Sequence, residues 1–121
     1  MVFLDSPFSA LRMNKIRYNF EWDRNKANIN RKKHNISFDV AATIFRDPKA
    51  ISIYDDTHSE EEERWVTLGL SDNGVLLVAH HTYSQIDKQN VNIRIISSRK
   101  ATKQEKEQYI KEQIEENNNE R

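Results

Sequence analysis

The sequence predicts an α+β domain: a short strand and two N-terminal helices, followed by an antiparallel sheet and a C-terminal helix. Three observations predict it. Apolar residues recur at helical spacing over Phe38, Ala41, Ile44 and Phe45, then at a period of two from Ile51 to the last strand. Cap residues mark helix ends at Asp23, Asn35, Ser37 and Thr102. Asp72-Asn73-Gly74 is a tight-turn signal between two apolar runs, as an antiparallel hairpin requires.

In chain order, Arg17–Trp22 alternates with Tyr18, Phe20 and Trp22 on one side, and reads as the first strand. Asp23 caps a helix running to about His34, and Asn35 suits the left-handed stop position. Ser37 caps the second helix, which Asp47-Pro48 ends because the residue before proline disfavours helical geometry. Strands follow at 51–53, 65–70, 75–83 and 91–98, with 84–90 as a polar connection. Thr102 and Glu105 form a capping box for a last helix to about Ile114, and the run Asn117-Asn118-Asn119 signals fraying. The expected division is a flexible extension over residues 1–16, one domain over 17–114 and a polar tail over 115–121.

A chain of 121 residues suits one compact core. Its 36% apolar and 31% charged residues lie on the polar side of globular averages, yet the periodic runs exclude wholesale disorder. There is no cysteine, hence no disulfide and no thiolate chemistry, which suits a cytoplasmic protein. No secretory signal or membrane span is legible. The formal charge of zero conceals asymmetry, because residues 1–111 hold 18 basic and 15 acidic residues, net +3. Basic blocks at 24–33 and 94–106 are compatible with a phosphate-binding face or with ordinary solvated surface. Between Arg24 and Phe38 no acid occurs, and helical spacing aligns Lys26, Asn30 and His34, with Lys33 beside them.

Several short motifs occur in order over about ninety residues. They are Phe20-Glu21-Trp22-Asp23, Lys26, Asn30, Lys33-His34 and Phe38, then Asp47-Pro48, Glu63-Arg64-Trp65 and Gly69. His81-Thr82, Arg94-Ile95-Ile96-Ser97, Arg99-Lys100-Ala101, Glu105 and Tyr109 complete the set. In this pattern the chain resembles the BrnT-type toxins of bacterial type II toxin–antitoxin pairs. The resemblance implies a RelE-like ribonuclease fold and a small RNA-cleaving toxin that inhibits translation. It also implies a cognate BrnA-like antitoxin as partner, with DNA met only through that antitoxin, RNA as substrate, no membrane and no cofactor. Three residues depart from the pattern: Asn35 where glycine is common, Ser98 where alanine is common, and Ser84 where an arginine often follows the His-Thr pair.

Metal-free RNA cleavage requires a base near the 2′-hydroxyl, cations around the developing phosphorane and an acid for the leaving 5′-oxygen. Arg64 and Arg94 are the first candidates for the phosphate, since a guanidinium offers paired donors and a permanent charge. By alternation Arg94 and Arg99 face opposite sides of the last strand, so Arg99 either bends back beside Lys100 to reach RNA or binds the terminal helix. His81 is the proton-transfer candidate on the sheet. His34 is either a second one or a helix end complementing the dipole. Glu63 orients Arg64 or acts as base, or else belongs to a solvated loop of residues 60–63. Lys26, Lys33, His34, Arg99 and Lys100 form the expected RNA-binding set, while Trp22 and Trp65 stack on bases or close the core. Adjacent His80 and His81 diverge on a strand, and no carboxylate–histidine spacing of a metal site is present.

Two functions fit these residues. The first is a metal-independent endoribonuclease toxin neutralised by its antitoxin. The second is a catalytically weak or inactive homologue that holds the antitoxin in an operon-repressing complex, kept open by Ser84.

Overall fold

A computed structural model describes residues 16–60 and 62–119. The expected extension over residues 1–16 lies outside them save for Ile16, as do the last two residues of the expected tail. Strand β1 (Arg17–Trp22) leads into helix α1 (Arg24–His34) and the short helix α2 (Phe38–Ala42), which tightens into a 3₁₀ turn at Thr43–Arg46. Strand β2 (Ile51–Tyr54), a 3₁₀ turn at Asp56–His58, β3 (Arg64–Leu70), β4 (Leu76–Thr82), β5 (Ser84–Gln85) and β6 (Asn90–Lys100) follow, then helix α3 (Lys103–Asn119).

The local signals act as their chemistry dictates. The Asp23 carboxylate accepts from the Lys26 amide at 2.9 Å, the Ser37 hydroxyl accepts from the Val40 amide at 3.2 Å, and Asn35 stops α1 at φ 57°. Thr102 and Glu105 exchange capping bonds of 2.8 and 3.2 Å. Gly74 turns the β3–β4 hairpin at φ 81°. The last helix continues past the expected end at Ile114 to Asn119, since nothing between them breaks it.

The sheet runs β1-β6-β4-β3-β2, with β5 also on β6. It is mixed rather than antiparallel: β1 lies parallel to β6, with Arg17 opposite Asn90 and Trp22 opposite Ile95. Alternation reveals that a segment is a strand, but its direction is set by the crossover that returns the chain beside it. The polar connection also contains β5, which pairs Ser84 with Asn92.

One sheet face, carrying Leu77, Ala79, Val91, Ile93 and Ile95, packs against Ile36, Phe38, Ala41 and Ile44. Gly69 permits this approach, because a Cβ there would meet the Ile44 Cβ at 3.0 Å. Trp22 meets Phe38 edge-on, and Trp65 meets Tyr54 edge-on and lies against Tyr83, so both tryptophans serve packing. The second face packs Leu68, Val78 and Ala101 with Val66, Leu76 and Tyr109 of α3. Asp47 ties that layer together, accepting from the Leu70 amide at 2.9 Å and the Tyr109 hydroxyl at 2.6 Å. The helix covers only one end of this face.

Asn30 holds α1 to the sheet. Beyond Trp22, β6 has lost its β1 neighbour, and the buried Asn30 amide takes that neighbour's part. Its Nδ2 donates to the Ser98 carbonyl at 2.9 Å, and its Oδ1 accepts from the Ser98 amide at 3.0 Å. Asn30 therefore does not belong to an anion-binding surface.

Candidate active site

The uncovered end of the second face carries a polar row across three strands. Arg94 lies opposite Glu21 of β1, Arg64 lies opposite Thr82 of β4, and the Arg94 amide donates to the Thr82 Oγ1 at 3.0 Å. Cross-strand partners share a face, so both arginines project from the same side. They converge on one carboxylate. Glu62 Oε1 lies 3.3 Å from Arg64 Nη2 and also accepts from Arg94 Nη2. Desolvation pulls the Glu62 pKa upward, but the hydrogen bonds and charges of Arg94 and Arg64 outweigh it and hold the carboxyl below its ordinary value. The Arg64 Nε is buried with no acceptor among the described residues.

The carboxylate here is Glu62, where the sequence pointed to Glu63. Side chains alternate at a strand, so the residue two before Arg64 shares its side, while Glu63 is exposed and points away. A run of four glutamates has no register until the start of β3 is known.

The two adjacent histidines stand on opposite faces of β4. His81 points into the aromatic core, 2% exposed, edge-on to Phe45 at 4.8 Å. Its Nδ1 lies 2.8 Å from the Thr82 carbonyl and its Nε2 2.6 Å from the Thr67 hydroxyl, so the neutral ring donates at Nδ1 and accepts at Nε2. Burial pushes its pKa down to about 4. With both nitrogens engaged inside the core, His81 has no access to a substrate. His80, its neighbour, shares the open face with Thr82 and is half-buried there. Burial lowers its pKa, and the Arg99 charge lowers it further.

A β-bulge explains how Arg99 comes near. His80 pairs with Ser97 but His81 pairs with Ile95, so Ile96 is extra and the alternation of β6 inverts. Arg94 and Arg99 therefore share the second face, against the simple two-residue repeat. Arg99 is nevertheless committed to α3, donating to both Glu105 oxygens at 2.8 and 3.0 Å. Those hydrogen bonds pull the Glu105 pKa down to about 2.

The other basic residues divide between the faces. Arg24, Asn28 and Arg31 line a cleft with Trp22, Phe38 and Asp39 on the core side of α1. Helical spacing puts exposed Lys26 and Lys33 on the opposite flank of α1. His34 is partly buried in the last turn of α1. Lys100 pairs with Leu77 and borders two clefts, one with Arg31 and Asn35 and one with Lys106 and Tyr109 of α3.

The sequence reading missed a second cluster beside the row. In the turn after β2, His58 Nδ1 lies 2.9 Å from Asp55 Oδ2, and the Thr57 hydroxyl donates to Asp55 Oδ1 at 2.8 Å. The Thr57 hydrogen bond is the main influence lowering the Asp55 pKa, with His58 adding to it. Thr57, His58, Glu60, Glu62 and Arg64 line an open cleft of about 380 Å³. The one signal for it was the Asp-x-x-His spacing ahead of the glutamate run.

Residues 22–105 match the family model described as the ribonuclease toxin BrnT of type II toxin–antitoxin systems. The chain belongs to the BrnT family. No curated protein matches it. The BrnT match runs from Trp22 to the capping Glu105, and so encloses Glu62, Arg64, His80, Arg94 and the Asp55–His58 pair. Membership of this toxin family implies an antitoxin partner. Among the described residues of this BrnT chain, no group of three or more histidine and carboxylate side chains could hold a metal, and no helix is long and apolar enough to cross a membrane.

Proposed function

We propose that this BrnT protein is a metal-independent endoribonuclease that cleaves single-stranded RNA, inhibits translation in the cytoplasm, and is neutralised by a cognate BrnA-like antitoxin covering its basic face. The unit assigned to this role is residues 17–114, with a RelE-like arrangement of sheet and helices. One observation carries the reading: Arg64 and Arg94, from different strands, converge on a single oxygen of Glu62. Two guanidiniums that share a carboxylate oxygen are spaced to share a phosphate oxygen. Their permanent charge would stabilise the phosphorane in the role a metal ion plays elsewhere.

His80 is the base in this scheme. It stands on the arginine face, and its lowered pKa keeps the imidazole neutral and able to accept the 2′-hydroxyl proton at neutral pH. Attack of O2′ on phosphorus then expels O5′ and leaves a 2′,3′-cyclic phosphate. Lys26 and Lys33, on the α1 flank, supply a rim for the RNA backbone.

A specific observation favours the second reading, an antitoxin-binding homologue of weak activity. Ser84 pairs with Asn92, two residues before Arg94 on the same strand face, so the site carries a neutral hydroxyl where a third guanidinium would lie. The test incubates antitoxin-free protein with single-stranded RNA in EDTA beside Arg64→Ala, Arg94→Ala and Ser84→Arg variants. Cleavage by the wild type, abolished in both alanine variants, supports the enzyme. Cleavage only in Ser84→Arg supports the weak homologue, and cleavage that EDTA abolishes overturns the metal-free scheme.

A further inference from the structure

The arginine row and His80 lack one element of the proposed reaction, a proton donor for the departing 5′-oxygen. Resting on that reading, we infer that His58, oriented by Asp55, is this donor. Its side chain is 68% exposed and lines the same cleft as Glu62 and Arg64, so RNA bound to the arginines would pass it. Asp55 accepts from Nδ1, which orients the ring. The ring's contacts to Asp55 and to the Thr57 hydroxyl are both made by Nδ1, so Nε2 of this exposed side chain is left to deliver a proton. The Thr57 hydroxyl in turn holds the second Asp55 oxygen, so the carboxylate does not rotate away.

The two imidazoles are electrostatic neighbours. His80, on β4, is close enough to feel the charges of both Asp55 and His58, and Arg99 on β6 disfavours a proton on it. Glu60, Glu62 and Arg64 line the same cleft as His58.

The step balances without a co-reactant. His80 takes the 2′ proton, the O2′–P bond forms, the P–O5′ bond breaks, and O5′ takes the proton from His58 Nε2. The products are a 2′,3′-cyclic phosphate and a 5′-hydroxyl end, and solvent exchange restores both histidines.

The deciding experiment compares two single-stranded substrates of the same sequence with full-length protein. One is ordinary RNA. The other carries sulfur in place of the bridging 5′-oxygen, a leaving group that departs without protonation. His58→Gln is expected to lose about 10²- to 10⁴-fold on RNA and to cut the thiolate substrate at the wild-type rate. Asp55→Asn should lose activity on RNA and keep the wild-type rate on the thiolate substrate, because the ring loses the carboxylate that orients it. Equal losses on both substrates, or none on either, overturn the donor role while leaving the arginine site standing. A wild-type protein that cleaves neither substrate overturns the ribonuclease reading and the inference with it.

Discussion

In the proposed site Glu62 holds the two arginines assigned to the phosphate, so removing its charge should strengthen RNA binding. The Glu62 side chain is 36% exposed, and its partners Arg64 and Arg94 are 33% and 38% exposed. Water therefore screens both pairs, and ion pairs of this exposure contribute about 0.2–1 kcal/mol each. An incoming phosphate must displace the carboxylate from both arginines, at a cost on the order of 1 kcal/mol. Glu62→Gln keeps the shape and abolishes that competition. Binding of a 2′-O-methyl RNA, which cannot be cleaved, should tighten about fivefold at low salt. The slope of log affinity against log salt should steepen by about 0.7 for each further phosphate that the freed arginines neutralise. Fluorescence anisotropy over a salt series measures both quantities. Unchanged or weaker binding would show that Glu62 does not compete with the substrate, and the phosphate site would have to lie elsewhere.

Two further predictions concern the core. The His81 pKa of about 4 lies below the ordinary 6.5, so the unfolded chain binds the proton first as pH falls. Stability held above pH 6.5 should drop by about 3 kcal/mol as pH falls towards 4. Urea unfolding between pH 7.5 and 4.5 reads this, with His80 adding a loss of the same sign; His81→Gln should flatten most of the slope, and an unaltered slope refutes the assignment. Asn30→Ala strips the Ser98 amide and carbonyl of their partner. It should cost roughly 1–3 kcal/mol for each group left unpaired. A loss well under 1 kcal/mol in the same assay would mean that α1 does not depend on this bond.

What could be read from the sequence was what local chemistry decides. A cap needs only its own residue and an amide three positions on, so Asp23, Ser37 and Thr102 were legible, as were Asn35 and the turn at Asp72-Asn73-Gly74. Arg64 and Arg94 were legible as phosphate candidates because arginine chemistry does not depend on register, and the structure brings them together. Choices between neighbours were not legible. That His80 rather than His81 stands on the arginine face, and that Glu62 rather than Glu63 meets the arginines, depends on which face of β4 the aromatic core covers and on where β3 begins. Arg99 needed the bulge at Ile96, which arises from the pairing of β4 with β6 and leaves no mark in the composition of either strand. The parallel β1 and the β5 pairing likewise belong to the crossover, not to the segments themselves.

The same bulge explains why the second face can be half core and half site. Without it Arg99 would point to the first face, towards the core residues, where burying a charge would be costly. With it, Arg99 stands at the border of the second face and grips Glu105, whose carboxylate also caps the first turn of α3. The helix is thereby pinned at its N-terminus by Arg99 and farther along by the bond of Tyr109 to Asp47. These two anchors fix which strands it covers. Leu68, Val78 and Val66 lie under it, while Arg64, His80 and Arg94 remain outside. A salt bridge that looks merely structural therefore sets the boundary of the open surface. Weakening it by Arg99→Gln should alter access to the arginine row even though Arg99 need never touch the RNA.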